Sequence, residues 1–285
     1  MIVIKHIDNM QQYIKERKHR DITIGFVPTM GYLHKGHASL LEKAREECDY
    51  VIASIFVNPL QFGPNEDYDQ YPRDFERDKA LVNTYGVDAI FVPNKDEMYP
   101  TESGCQLTVM RRTDVLCGKK RPGHFDGVVT VLTKLFHIIQ PDRVYFGQKD
   151  AQQVAIVHDL IEAFNFPIEL VACPTVREED GLAKSSRNVN LSDAERKDAP
   201  RLYDQLLTAR KAVLTGESVE SVKKKLVYSL EGIEHGHLDY AEILSYPELK
   251  PIESLDQTII IAIAYQFEKA RLIDNIIIKK SEIDL

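Results

Sequence analysis

Hydrophobic positions along the chain alternate between helical and strand spacing. Met10, Tyr13 and Ile14 recur on one helical face behind Asp8, a residue suited to capping, and the segment 22–27 then reads as a short strand. Pro28 and Gly31 predict a turn, and Leu40, Leu41 and Ala44 predict a helix over 36–48. The run at 51–57, VIASIFV, is nearly continuous in apolar residues, as in a sheet covered on both faces. Helices at 72–85, 124–139 and 150–163 alternate with strands at 89–92, 144–146 and 168–172. Helices and strands in alternation predict a parallel α/β sheet with helices on both faces. After Pro174 the pattern changes. A charged stretch, REEDGLAKSSRN, leads to helices at 193–214 and 218–230, then to strand-like runs at 238–244, 258–265 and 271–278 joined by short turns. That is the pattern of a smaller α+β domain, so the expected division is 1–176 and 177–285.

The chain has 285 residues, 44% of them hydrophobic, enough for two cores at about 150 residues per domain. Its formal charge of −8 is shared equally between the parts before and after Val176. With no basic half or tail, binding of nucleic acid or an anionic membrane by bulk charge is excluded, and an anionic ligand needs a local site. Cys48, Cys105, Cys117 and Cys173 are spaced neither as metal pairs nor as a disulfide framework, which points to free thiols in a reducing cytoplasm. The opening residues turn polar after four positions, unlike a secretory signal, and the apolar run at 259–265 is far short of the roughly 20 residues that span a bilayer. A soluble intracellular protein is expected.

The sharpest local signal is PTMGYLHKGH, Pro28 to His37, where the first strong strand gives way to a helix. In a parallel sheet that point is the edge where ligands bind. His34 and His37 share a face if the helix has begun, open backbone N–H groups there favour a phosphate, and Gly36 allows its close approach. Imidazoles donate to phosphate oxygens and, when protonated, stabilise the charge that builds as pyrophosphate leaves. A pair of packed or surface histidines is the bland alternative. Zinc is disfavoured because no third ligand lies at a suitable spacing. Further on, Gln61 follows an Asn-Pro turn and by itself reads as a solvated loop residue, as Glu66, Asp67 and Asp69 do. Arg121 and His124 suit either the site or a capping role. Lys184, Ser185, Ser186 and Arg187 place two hydroxyls and two cations in consecutive positions, a set matched to phosphate oxygens, and closure of such a loop would exclude water.

Five ordered blocks together carry a resemblance: PTMGYLHKGH (28–37), SIFVNPLQF (54–62), LCGKKRPGHFDGVVTVLTKLF (116–136), QPDRVYFGQKDAQQ (140–153) and PTVREEDGLAKSSRN (174–188). They resemble the HIGH-motif nucleotidyltransferases and, within them, the pantoate:β-alanine ligases. The resemblance implies a Rossmann-like first domain and a smaller second domain closing over the site. It also implies two half-reactions: (R)-pantoate carboxylate attacks the α-phosphate of ATP to give pantoyl adenylate and pyrophosphate, and the β-alanine amine then displaces AMP. It assigns ATP to Met30, Gly31, Tyr32, Leu33, His34, Lys35, Gly36 and His37, to Gly147, Gln148, Lys149 and Asp150, and to Val176, Lys184, Ser185, Ser186 and Arg187. His37, His34, Lys149, Ser185, Ser186 and Arg187 are the implied catalytic groups. Gln61 and Gln153 are implied for pantoate, and Gln61 also for β-alanine. Mg2+ accompanies ATP, its ligands left unassigned, and a cytoplasmic homodimer is implied. Tyr32 stands where relatives often carry a smaller residue such as alanine, His137 where they commonly carry asparagine, and Lys184 at a position that also takes apolar residues. An adenylyltransferase acting on a phosphate ester, and a non-catalytic nucleotide-binding module, are the competing classes. The neutral Gln61 and Gln153 favour a small hydroxy acid over a phosphate ester.

Overall fold

A computed structural model of the chain describes residues 1–18, 22–64, 66–101, 104–252 and 254–283. In chain order it contains β1 (Ile2–Ile4), α1 (Ile7–Arg17), β2 (Ile24–Thr29), α2 (Lys35–Glu47), β3 (Tyr50–Ile55), α3 (Phe75–Thr84), β4 (Ala89–Phe91), α4 (Lys95–Met98), α5 (Leu116–Lys120), α6 (His124–Ile139), β5 (Arg143–Gly147), α7 (Ala151–Ala163) and β6 (Glu169–Cys173). The remainder holds α8 (Asp193–Asp198), α9 (Arg201–Leu214), α10 (Val219–Glu231), β7 (His237–Ser245), β8 (Ile259–Gln266), β9 (Arg271–Ile278) and α11 (Lys280–Ile283). Two compact units result. One comprises Met1–Arg111, Arg121–Gln148 and Ile156–Pro174; the other comprises Arg112–Lys120, Lys149–Ala155 and Thr175–Leu285.

The first unit is built on a six-stranded parallel sheet in the order β1-β4-β3-β2-β5-β6. Ile24, Phe26 and Val27 of β2 and Val51, Ile52 and Ala53 of β3 are wholly buried, which is why these strands are apolar at consecutive rather than alternate positions. Strand order runs outward through β3 and β4 on one side of β2 and through β5 and β6 on the other. Such a reversal opens a crevice at the carboxyl ends of the strands. The segments after β2 and β3, and Gln148 after β5, leave from that edge. Thus the histidine turn, the Asn-Pro-Leu-Gln turn and the start of GQKD emerge together.

Several boundaries differ from the sequence reading. Pro28 belongs to β2 and stands opposite Ser54 instead of opening the turn. Its missing N–H is tolerated near the strand end, where Thr29 Oγ1 donates to the Ser54 carbonyl at 2.7 Å. β1 was not expected, because three residues are too few to display a period. Asp8 lies in the first turn of α1, not at its cap; the Ile7 N–H is taken instead by Glu97 at 2.7 Å. α3 begins at Phe75 behind an Asp74 cap and not at the Tyr71-Pro72 step.

The second unit carries an antiparallel sheet in the order β7-β8-β9. Ile259, Ile261 and Ile263 of β8 pack with Leu206 of α9 and Leu226 of α10, while Ile260 and Ala262 pack with Leu116, Ala151 and Ala155. Both faces are therefore covered, and the whole strand is apolar. The helix expected over 193–214 is two helices. Pro200 has no N–H to donate and interrupts them, and α8 has its own capping box of Ser192 and Glu195. Among the described residues no helix is long and apolar enough to cross a membrane.

Candidate active site

In the first unit, the segment from Met30 to His37 leaves β2 through two left-handed residues, Gly31 with φ 82° and Tyr32 with φ 50°. A side chain at position 31 would bring its Cβ to 3.0 Å from Asp78 Oδ2, so glycine is required there twice over. His34 caps α2: its Nδ1 accepts from the Gly36 N–H at 3.1 Å, and the His34 N–H donates to His37 Nδ1 at 3.3 Å. The two rings lie 4.1 Å apart, tilted by 39°. With both Nδ1 atoms accepting, each neutral imidazole carries its proton on Nε2. In that tautomer the donor of each ring is its Nε2–H.

The expectation of open backbone N–H groups along this turn is corrected. The Gly31 N–H donates to Thr29 Oγ1 at 3.1 Å, and the Tyr32 and Leu33 N–H groups donate to the Asp78 carboxylate at 2.7 Å each. Those of His34 and Gly36 are engaged by the histidine rings themselves. A helix start with a short polar cap spends its first donors on that cap. The backbone N–H groups of residues 31–34 and of Gly36 are thus engaged within the protein.

Gln61 is 9% exposed, not a solvated loop residue. It ends a 3-10 turn, Pro59–Gln61, capped by Asn58, whose side-chain amide donates to Gln61 Oε1 at 3.2 Å and to the Gly127 carbonyl at 3.0 Å. Gln61 Nε2 donates to Met30 Sδ at 3.1 Å, so the structure joins the residue implied for pantoate to one implied for ATP. The Gln61 carbonyl meets His124 Nδ1 at 2.8 Å and Arg121 Nη2 at 3.3 Å. Glu66 is likewise drawn out of its expected solvated role. It pairs with Arg121, one contact being 2.8 Å; although burial opposes ionisation, hydrogen bonds and charge from Arg121 hold its carboxyl below the usual range.

In the second unit, Lys149 Nζ lies 3.6 Å from Asp150 Oδ2, and the Lys149 carbonyl accepts from Asn275 Nδ2 at 2.9 Å. The neighbouring Asp274, 5% exposed, takes a two-pronged ion pair from Arg177 at 2.6 and 2.9 Å. Arg177 in turn reaches the Gly181 carbonyl at 3.1 Å and bridges across to Ala183. Lys149 and the segment carrying Lys184 to Arg187 therefore hang from adjacent residues of β9. The Val176 carbonyl accepts from the Lys184 N–H at 2.9 Å, and the Lys184 ammonium pairs with Glu178. Ser185 caps the 3-10 turn Ser186–Asn190, accepting from the Arg187 N–H at 3.3 Å, and Ser186 is buried. Gln153 is half-buried on the first turn of α7. Next to it the buried Gln152 accepts from the Cys117 N–H at 2.9 Å and donates to the Val115 carbonyl at 2.9 Å.

Asp78, Gln152, Asp274 and Asn275 were missed in the sequence. For three of them no local signal exists, since their partners lie 35 to 126 positions away. Asp274 could have been noticed as a carboxylate inside the apolar run RLIDNIII.

Comparison with known proteins adds independent observations. The family model described as pantoate-beta-alanine ligase matches residues 2–277. The chain is 57% identical over 280 residues to the pantothenate synthetase of Geobacillus thermodenitrificans, covering 98% of this chain and 97% of that one. It is 54% identical over 283 residues to that of Halalkalibacterium halodurans, covering 99% and 100%. Among solved structures, the pantothenate synthetase of Thermus thermophilus superposes with a TM-score of 0.92 at 44% identity, covering 97% of this chain and 99% of that chain. The Francisella tularensis enzyme, solved with beta-gamma ATP and beta-alanine, gives 0.81 at 35% identity, covering 99% and 98%.

Proposed function

The chain belongs to the pantoate-beta-alanine ligase family, an enzyme forming pantothenate, and from that premise we propose that it works through a pantoyl adenylate. The observation that carries this reading is the His34–His37 ring pair at the carboxyl end of β2, in the same unit as the Gln61 amide, which is joined to Met30. A carboxylate is a poor acyl donor at neutral pH, and making its oxygen part of a phosphate anhydride solves that problem. A pantoate carboxylate oxygen forms a bond to the α-phosphorus of ATP as the bond from that phosphorus to the bridging oxygen breaks. Negative charge gathers on the departing pyrophosphate. His37 and His34 donate Nε2–H hydrogen bonds to those oxygens, and the Lys149 ammonium offsets the repulsion between carboxylate and phosphate. Ser185, Ser186 and Arg187 bind further phosphate oxygens.

Gln153 and Gln61 hold pantoate through its hydroxyl and carboxylate, for which a neutral amide supplies both a donor and an acceptor. In the second step the β-alanine amine, placed by Gln61, forms the C–N bond. The acyl carbon loses its bond to the adenylate oxygen, the nitrogen releases a proton, and AMP departs. No covalent nucleophile is needed, because orientation and charge stabilisation carry the chemistry. Mg2+ enters with the substrate as Mg-ATP; among the described residues no three histidine, cysteine, aspartate or glutamate side chains gather as a cage for it. We infer from the family a cytoplasmic homodimer, which sedimentation at working concentration tests.

The deciding experiment incubates the protein with Mg-ATP and pantoate, follows pyrophosphate and AMP separately, and then adds β-alanine. Pyrophosphate before the amine, and AMP only after it, is the expected result. Simultaneous release of both on amine addition, with no earlier pyrophosphate, refutes the adenylate.

A further inference from the structure

Asp78 is 1% exposed on α3 and spends both carboxylate oxygens on the backbone of the histidine turn: Oδ2 accepts from the Tyr32 N–H and Oδ1 from the Leu33 N–H, each at 2.7 Å. Its neighbour Arg77 holds the same peptide segment. The Arg77 guanidinium donates to the Leu33 carbonyl at 3.1 Å and lies 4.6 Å over the Tyr32 ring. The segment so gripped is the one with two successive left-handed residues, Gly31 and Tyr32. For tyrosine that conformation costs about 1 kcal/mol or more and persists only where its surroundings impose it. One residue further on is His34, the cap of α2, whose N–H is tied to the His37 ring.

We propose that Asp78 is the positioning residue of the histidine turn, holding Tyr32 and Leu33 in the strained backbone path that aims His34 and His37 at the nucleotide. Burial raises the Asp78 carboxyl above its usual range in spite of the two N–H bonds. Its charge is therefore kept at a cost to stability, as suits a group retained for the geometry it imposes. Asn cannot replace it: an amide presents one acceptor and one donor, and the donor faces an N–H. Arg77 is exposed, and its contribution can be removed without disturbing a core.

The inference rests on the reading of this turn as the ATP site, and the experiment separates the two. Steady-state parameters for ATP and for pantoate are measured for the parent protein, Asp78→Asn, Arg77→Met and, as a reference, His37→Ala. Asp78→Asn is expected to lower kcat and raise the KM for ATP by about tenfold each, the scale of one misplaced charge-assisted hydrogen bond, with the pantoate KM within about twofold of the parent. Arg77→Met is expected to shift the same ATP parameters about threefold. Unchanged ATP parameters in a folded Asp78→Asn protein, or equal shifts for ATP and pantoate, overturn the positioning role. Should Asp78→Asn fail to fold, Arg77→Met decides by the same criterion. If His37→Ala also leaves the ATP parameters intact, the reading of the turn itself falls, and the role of Asp78 with it; a damaged His37→Ala beside an intact Asp78→Asn removes only the latter.

Discussion

His34 and His37 each give their Nδ1 to a backbone N–H of their own turn, an arrangement that decides which nitrogen can act on a ligand. Replacing His37 by Ala is expected to slow adenylate formation about 10²- to 10³-fold, the usual loss for one transition-state donor; single-turnover pyrophosphate release measures it. Gln153→Ala should raise the pantoate KM well beyond the ATP KM, because the interaction lost is with one substrate, and equal increases would count against its placement. Away from the site, His235 gives a prediction with a definite sign. Its Nδ1 lies 2.8 Å from Asp198, and the hydrogen bond to that carboxylate raises the imidazole above its ordinary value of 6.5. The pair's stabilisation is fully present below pH 6.5 and disappears as pH rises through the raised value. His235→Gln should therefore lower the melting temperature at pH 6 and leave it unaltered at pH 9. At this scale residue types were legible and partners were not. HKGH and GQKD stand out as consecutive letters, whereas Asp78 acquires meaning from backbone groups 45 and 46 positions earlier.

Helices and strands were readable where burial imposes a period over many residues. α6 matches its expected span of 124–139 because its apolar positions form one continuous stripe. β8 and β9 are likewise plain, though only the packing of β8 against two separate clusters explains why it has no polar face. Less legible were the features that serve contact between elements. Gly127 is buried within α6. In the structure an added Cβ there would come within 2.2 Å of the Leu60 carbonyl oxygen and 2.6 Å of the Gln61 nitrogen, so α6 touches the 3-10 turn at backbone distance. Gly127→Ala should destabilise the protein by about 1–3 kcal/mol, as overpacking does, and raise the pantoate KM by displacing Gln61; chemical denaturation and initial rates check the two effects.

Across the whole molecule, two cores differ in construction, a parallel sheet covered on both faces and an antiparallel sheet under α9 and α10. In the second, the Arg177–Asp274 pair is nearly enclosed, with side-chain exposures of 17% and 5%, and guanidinium stacking on Tyr203 at 3.5 Å completes its surroundings. Asp274→Ala should cost about 3–5 kcal/mol, the penalty of leaving one buried charge without its partner, visible as a fall in denaturation midpoint.

Local pattern alone determined the alternation of elements, the parallel sheet, the change of architecture after Pro174 and the five blocks that mark the family, since each is a property of residues close together in the chain. Tertiary structure decided which backbone donors of the histidine turn are engaged within the protein, that Gln61 and Glu66 are drawn inward, and that 112–120 and 149–155 join the second unit. The physical reason is that a buried polar group must find its partner wherever packing places one. For Asp78, Asn275 and Gln152 that partner lies dozens of residues away, beyond the reach of any local pattern.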